Sequence, residues 1–467
     1  MFQMNMAESS KQLNKGVVTY LELVFQSISF TAPAIAVTAT MTGAAAFAYG
    51  ALPLTYILAV LAVFSAGFVI YVFSRKVASS GGYYRYIERG FGTRGGGFGG
   101  WVYMLYTVIG ATPFIYFETS LATQYGLGIF GVNLPSWSWY PIGLVVALAA
   151  YGLAYSGIKN SLRYSVFTGV IEMAILLIVA FLILGKSPDP VNLKVFTPAY
   201  SPTGWNGVAL GLVFSFTSLA GWGSMTFLGG EARQAHFNIR KGVIVTIAVL
   251  GAFFLFMSYA MTIGWGPANM GTYFQNFLPG LILAVKYGGV GVAILMFVFL
   301  VNSGFVDTLA IINAGSRDLY TMAKDGFLPD TLSLTHPRHK SPHKALLSNT
   351  IIGIVLFTVT GWTMGPLNGF LVTGVWTGAG TIIEHIMLNT SLPLYFRKLK
   401  QYKAQYAIVP GVATILYLFA LYGSFLSIDI YVLIAVAFIV VWLAFGAIYF
   451  SVKPVKEIVL EEGEEIG

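Results

Sequence analysis

The sequence predicts an all-α membrane protein with twelve transmembrane helices, the first ten forming a five-plus-five internal repeat in which helices 1 and 6 are discontinuous. Three observations predict it: an extreme apolar excess, apolar runs of bilayer-spanning length, and two interrupted runs at matching offsets. Of 467 residues, 57% are hydrophobic and 9% are Asp, Glu, Lys or Arg, against roughly 25% charged in a soluble domain. No single aqueous core hides that much apolar surface, so a soluble globular protein is excluded. A net charge of +8 would suit nucleic acid if the basic residues clustered on one face. Here they punctuate apolar runs, and no nucleic-acid partner is expected. With no cysteine, disulfides, thiolate metal sites and cysteine nucleophiles are absent.

A spanning helix needs about 20 apolar residues. Such stretches lie near 17–47, 51–74, 97–126, 140–157, 162–185, 206–229, 242–265, 286–315, 345–365, 369–394, 406–425 and 428–451. The first is too long for a signal-peptide core and is read as a retained helix. A transmembrane β-barrel would show roughly ten-residue alternating segments instead. Cytoplasmic loops collect Lys and Arg, and with the N-terminus inside, 23 of the 26 basic residues fall on that side. The exceptions are Lys186, Lys194 and Lys286. The expected division is a cytoplasmic N-terminus (1–16), a first repeat (17–185), a second repeat (206–394), two further helices (406–451) and an acidic cytoplasmic tail (452–467). The expected location is the cytoplasmic membrane, with both termini inside.

Two spans look broken. The first carries SISFTAPA from Ser27, with Pro33 in its interior, and the sixth carries SLAGWGSM from Ser218, with Gly221 and Gly223 at its midpoint. Proline removes a helix hydrogen bond and clashes with the preceding turn. Pro33 and Gly223 are 190 residues apart, about the offset between the third and eighth spans. Interrupted helices at matching positions of two halves point to a transporter binding site; the structural alternative is two ordinary kinks.

Four acids sit deep in their spans: Glu118, Glu172, Asp307 and Glu384. A carboxylate at a helix centre costs about 2.5–3.5 kcal/mol on insertion scales, and no Lys or Arg lies at comparable depth. Each acid must stay protonated, hold a mobile cation, or serve as hydrogen-bonded glue between helices. Glu22 lies nearer the cytoplasmic end and reads as a gate or surface residue. His385 reads as a buried neutral histidine. The remaining histidines fall in loops without metal-ligand spacing.

Three motifs resemble the amino acid, polyamine and organocation (APC) superfamily, specifically its amino-acid permeases. They are NAGSRDLYTMAKDGFLPDTLSLTHPRHKSPHKAL (Asn313 to Leu346), GGYYRYIERGFG (Gly81 to Gly92) and FLGGEARQAHFNIRKG (Phe227 to Gly242). The resemblance covers essentially the whole chain. It implies the LeuT-like inverted-repeat fold with helices 1 and 6 unwound at mid-membrane, and a secondary transporter rather than an enzyme. QSISFTAP resembles the family's glycine-rich break followed by proline, with Gln26, Ser27 and Ile28 in place of the usual small-residue trio.

Under this resemblance a zwitterion lies between the two breaks. Its carboxylate is expected on N–H groups at Ser29, Phe30, Thr31, Ala32 and on to Ala34. Its ammonium is expected on C=O groups near Gln26 to Ile28 and Ser218, Ala220 and Gly221. Gly223 lies at the second break, and Trp222 matches the family's bulky gating aromatic. Many relatives carry a lysine about thirteen residues after the motif represented by SGIK, an offset that lands on Glu172. The family's small hydroxyl position ten residues before Arg317 falls on Asp307. Glu172 and Asp307 are therefore expected to pair and bind one proton or one sodium ion, with no other cofactor. A neutral amino acid is the favoured cargo. Glu118 is a possible specificity residue, facing either the cavity or helix 10. The alternatives are a cationic amino acid or polyamine carrier or exchanger, and, in a different class, an ion or water channel. The protein is expected to act as a monomer or homodimer in the bilayer.

Overall fold

The computed structural model describes residues 12–424 and 430–453. Lys11, Lys456 and the acidic tail from Glu457 lie outside the described residues. Within them the chain is helical, with no strand beyond one isolated bridge between Val18 and Ala232. Among the described residues, eleven helical runs are long and apolar enough to cross a membrane.

The first run, Tyr20–Phe73, contains 54 residues and is interrupted twice. Helix α1, Tyr20–Phe30, ends at Thr31, and Ala32 takes a left-handed φ of 41°. The helix restarts at Pro33 and continues over residues 33–48 as α2, with a π-helical stretch at Ala36–Thr40. A second left-handed residue, Tyr49, opens a tight 3-10 turn, Tyr49–Ala51, before α3, Leu52–Phe73. Both α2 and α3 pack on α8, Trp205–Leu219.

The motif GGYYRYIERGFG folds as a short helix α4, Gly82–Phe91, with Arg85 and Glu88 buried. Helix α5, Thr93–Ile129, is the innermost long helix: 89% of its most apolar window is buried, against 17% for α15, Ile430–Val452. Helices α6 (Trp139–Tyr155) and α7 (Ile158–Lys186) follow. After α8 come α9 (Ala235–Trp265), a short α10 (Pro279–Gly288) and α11 (Val290–Lys324). Gly289, at φ 81°, separates the last two, so the span expected from 286 starts later and runs nine residues beyond 315. Helices α12 (His343–Met364), α13 (Pro366–Lys398) and α14 (Gln405–Ser424) precede α15.

Helix α1 is enclosed by α7, α9 and α11. The outward faces of α14 and α15 carry exposed Ile415, Leu418, Val440, Val441, Phe445 and Ile448, a surface suited to lipid.

Candidate functional site

The start of α1 is fixed by its own sequence. Thr19 and Glu22 form a capping box, with Glu22 Oε2 accepting from Thr19 N–H at 2.8 Å and from its hydroxyl at 2.8 Å. This assigns Glu22, read as a gate or surface residue, a local capping bond. At the other end, Thr31 N–H donates to Ile28 O and Ala32 N–H to Ser29 O, both at 3.1 Å. Gln26, Ser27, Ile28, Ser29 and Phe30 are thus the last helical residues, and unwinding is confined to Thr31 and Ala32. That is a few residues later than the expected stretch at Gln26 to Ile28. The reason is Pro33, whose fixed φ suits the first position of a new helix and pushes the break immediately before it.

The second break follows Leu219. Ala220 is extended (ψ 144°), Gly221 has φ 91°, and a 3-10 turn resumes at Ser224–Leu228. A Cβ on Gly221 would overlap the Phe30 ring, and one on Gly223 would overlap the Tyr83 hydroxyl. Gly221 lets the two breaks approach, and Gly223 lets Tyr83 of α4 close on the second.

The approach is made through serines. Met225 N–H donates to Ser27 Oγ at 3.0 Å, and Ser224 Oγ donates to Gln26 O at 3.4 Å. The Gln26 amide reaches across to Ala310 O on α11 at 2.9 Å. Ser218 Oγ accepts from Tyr56 Oη at 2.8 Å. Trp222 is buried beside His385, ring centroids 5.5 Å apart, and Phe30 leans on Tyr106 at 5.7 Å. Two interrupted helices therefore face each other across hydroxyls, backbone amides and aromatic rings.

Around α2 stand three of the four deep acids. Glu172 Oε1 accepts Ala34 N–H at 2.6 Å and the Ser303 hydroxyl at 2.7 Å. Glu118 Oε1 accepts the Thr40 hydroxyl at 2.6 Å. Asp307 lies within electrostatic reach of both glutamates but shares no hydrogen bond with either, and its Oδ1 has no partner. No basic side chain among the described residues contributes to the electrostatics of these three groups. Among the described residues, no three His, Asp or Glu side chains are arranged to hold a metal ion.

Glu384 is fully buried on α13 and neither oxygen is hydrogen bonded; its Oε2 is 3.4 Å from His385 Nδ1. Asp318 on α11, within its electrostatic reach, is equally buried and unbonded. Asp318 falls inside the motif Asn313 to Leu346 and is not among the four deep acids expected from the sequence. The signal available was its position directly after Arg317, on a helix that continues to Lys324.

At the arginine-rich end, the three motifs come together as buried ion pairs. Arg317 Nε meets Glu231 at 2.5 Å, while Arg85 meets Glu88 at 2.9 Å and Asp325 at 2.8 Å. The Tyr84 hydroxyl also donates to Asp325. Burial pushes the Glu88 and Asp325 carboxyls above the usual range, and Arg85 pulls both back. Glu231 O also accepts from Val17 and Val18 N–H at 2.9 and 3.0 Å, tying the segment before α1 to the exit of the second break.

Comparison with known proteins agrees with this geometry. The family model described as amino acid permease matches residues 22–452. The branched-chain amino acid permease BcaP of Lactococcus lactis is 26% identical over 437 residues, covering 87% of this chain and 88% of the relative. The methylthioribose transporter of Bacillus subtilis is 26% identical, covering 80% of each chain. The BcaP of Bacillus subtilis is 25% identical, covering 68% of this chain and 63% of the relative.

Proposed function

Because the chain belongs to the amino acid permease family, we propose that it is a secondary transporter moving a neutral aliphatic amino acid across the cytoplasmic membrane by alternating access, in symport with a proton. The observation that carries this reading is the meeting of the two interrupted helices at Ser27, Gln26 and Ser224. We further read the run Tyr20–Phe73 as two crossings joined at Tyr49. As one straight helix it would measure about 81 Å at 1.5 Å per residue, against a hydrocarbon core of about 30 Å. That makes twelve crossings in a five-plus-five inverted repeat, with both termini on the cytoplasmic side.

In this reading the substrate ammonium takes carbonyls at the ends of α1 and α8, and the carboxylate takes the N–H at the start of α2. An anion is favoured there by the positive end of the helix dipole. Trp222 covers the bound molecule. The names of the two branched-chain permeases support an aliphatic cargo. Glu118, engaged by Thr40, is read as holding α2 to α5 rather than a cationic cargo. A cationic amino acid or polyamine is the second reading, favoured by the unbonded carboxyls of Asp318 and Glu384.

Coupling is assigned to Glu172 and Asp307, two acids close enough to resist ionising together. A proton fits this pair best, because its other contacts are neutral hydroxyl and amide donors. The test is uptake into proteoliposomes under imposed proton or sodium gradients, in wild type, Glu172→Gln and Asp307→Asn. A proton gradient should drive accumulation in wild type and lose its effect in both variants. Unchanged gradient dependence in both would defeat the assignment.

A further inference from the structure

A helix that restarts at a proline leaves its first N–H groups without intrahelical acceptors, and in a bilayer each needs a partner inside the protein. Pro33 has no N–H, so the first donor of α2 is Ala34. The next, Ile35 N–H, reaches Ser303 Oγ at 3.5 Å. The N–H groups of the unwound residues are closed on the turn before them, Thr31 on Ile28 and Ala32 on Ser29. Ala34 N–H is therefore the donor that the break aims outward, and the chain fills it with the Glu172 carboxylate at 2.6 Å. Ser303 holds that carboxylate in place by donating to the same oxygen at 2.7 Å.

We propose that Glu172 is a tethered competitor of the transported molecule: its carboxylate occupies the helix start that a substrate carboxylate requires, and protonation of Glu172 vacates it. The inference rests on the permease reading above. A carboxylate accepts a hydrogen bond about twice as strongly as a neutral group, and only the charged form is held by the helix dipole. When Glu172 takes a proton, Ala34 N–H is released as the amino acid's carboxylate arrives. One anion replaces another at the same donor, and the proton on Glu172 enters the transport cycle with the cargo.

Helix α11, which packs against α7, carries Asp307, and Asp307 lies within electrostatic reach of both Glu172 and Glu118 of α5. The basic residues of α7 and its packed neighbours lie at helix ends: Lys159, Arg163 and Lys186 on α7, Arg240 and Lys241 on α9, Lys286 on α10, Arg317 and Lys324 on α11. Protonation of Glu172 is thus opposed by no fixed cation at its own depth. A cargo analogue without a carboxylate does not compete for Ala34.

The test uses the full chain in lipid nanodiscs. Binding of leucine and alanine is measured from about pH 5 to about pH 8, beside their decarboxylated counterparts isopentylamine and ethylamine. In wild type, amino acid affinity should fall with rising pH, approaching about tenfold per pH unit, the limit for one linked proton. Glu172→Gln should bind the amino acids tightly with an almost flat profile, and the amines should show no such slope in either protein. Ser303→Ala, which removes one of the two donors holding the carboxylate, should bind leucine more tightly than wild type at the alkaline end. A wild-type slope retained in Glu172→Gln, or an equal slope for the amines, would overturn the inference while leaving the permease reading intact. Failure of wild type to bind any proteinogenic amino acid would overturn both.

Discussion

Buried carboxyls meet their charge in two different ways in this protein. At the arginine-rich end, Glu231, Glu88 and Asp325 each sit 2.5 to 2.9 Å from an arginine. Around α2, Glu118 and Glu172 accept only hydroxyl and amide hydrogens, and Asp307 Oδ1 accepts none. A carboxylate locked to a guanidinium cannot shed its charge without stranding the partner. A carboxyl held by neutral donors can take or lose a proton while its surroundings keep their bonds. The first arrangement suits a fixed scaffold; the second suits a working site.

The largest expected effect breaks the first half of that comparison. Arg317→Ala leaves Glu231 buried without its partner, and removing one member of a buried pair costs about 3–5 kcal/mol. The expected outcome is a marked loss of thermal stability in detergent, and an unchanged melting temperature would refute the scaffold role. Next comes Gly221→Ala, where a φ of 91° and the Phe30 ring both oppose a Cβ. Backbone strain of this kind costs about 1–3 kcal/mol. The folded variant should lose uptake, because the two breaks can no longer approach; uptake at wild-type rate would show that the close contact is dispensable.

Glu118→Gln sharpens the second half. The amide oxygen still accepts from Thr40, so stability should change by less than about 1 kcal/mol, and leucine uptake should persist. Selective binding of arginine or putrescine that disappears in this variant would instead favour the cationic reading. The smallest effect concerns pH at the arginine-rich end. Asp325 holds its proton more tightly folded than unfolded, so its contribution favours the fold below the ordinary carboxylate range and is lost as pH rises through the folded value. Thermal stability of Asp325→Asn should therefore decline less than that of wild type across the acidic range, and parallel pH profiles would contradict this.

The helical, membrane-spanning character of the chain was legible because it follows from one-dimensional quantities: run length, hydropathy and the residues that punctuate them. Pro33, Gly221 and Gly223 marked both breaks. The register of the first was not legible, because a proline signals where a helix can restart rather than where the preceding one stops. The scaffold was legible as motifs but not as pairs. Arg317 and Glu231 are 86 residues apart and Arg85 and Asp325 240 apart, and no local pattern encodes such a contact. The proposed site was half legible. Glu172 and Asp307 stood out as acids in apolar runs, but the partner of Glu172 is a backbone amide freed by a proline more than a hundred residues away, and sequence alone does not mark it.

Labelled leucine counterflow in proteoliposomes, with unlabelled leucine inside, tests most directly whether two facing helix breaks carry an amino acid by alternating access. The account predicts saturable, transient accumulation of label that Gly221→Ala abolishes. Flux that rises linearly with concentration and never exceeds equilibrium would indicate an open pore and contradict it.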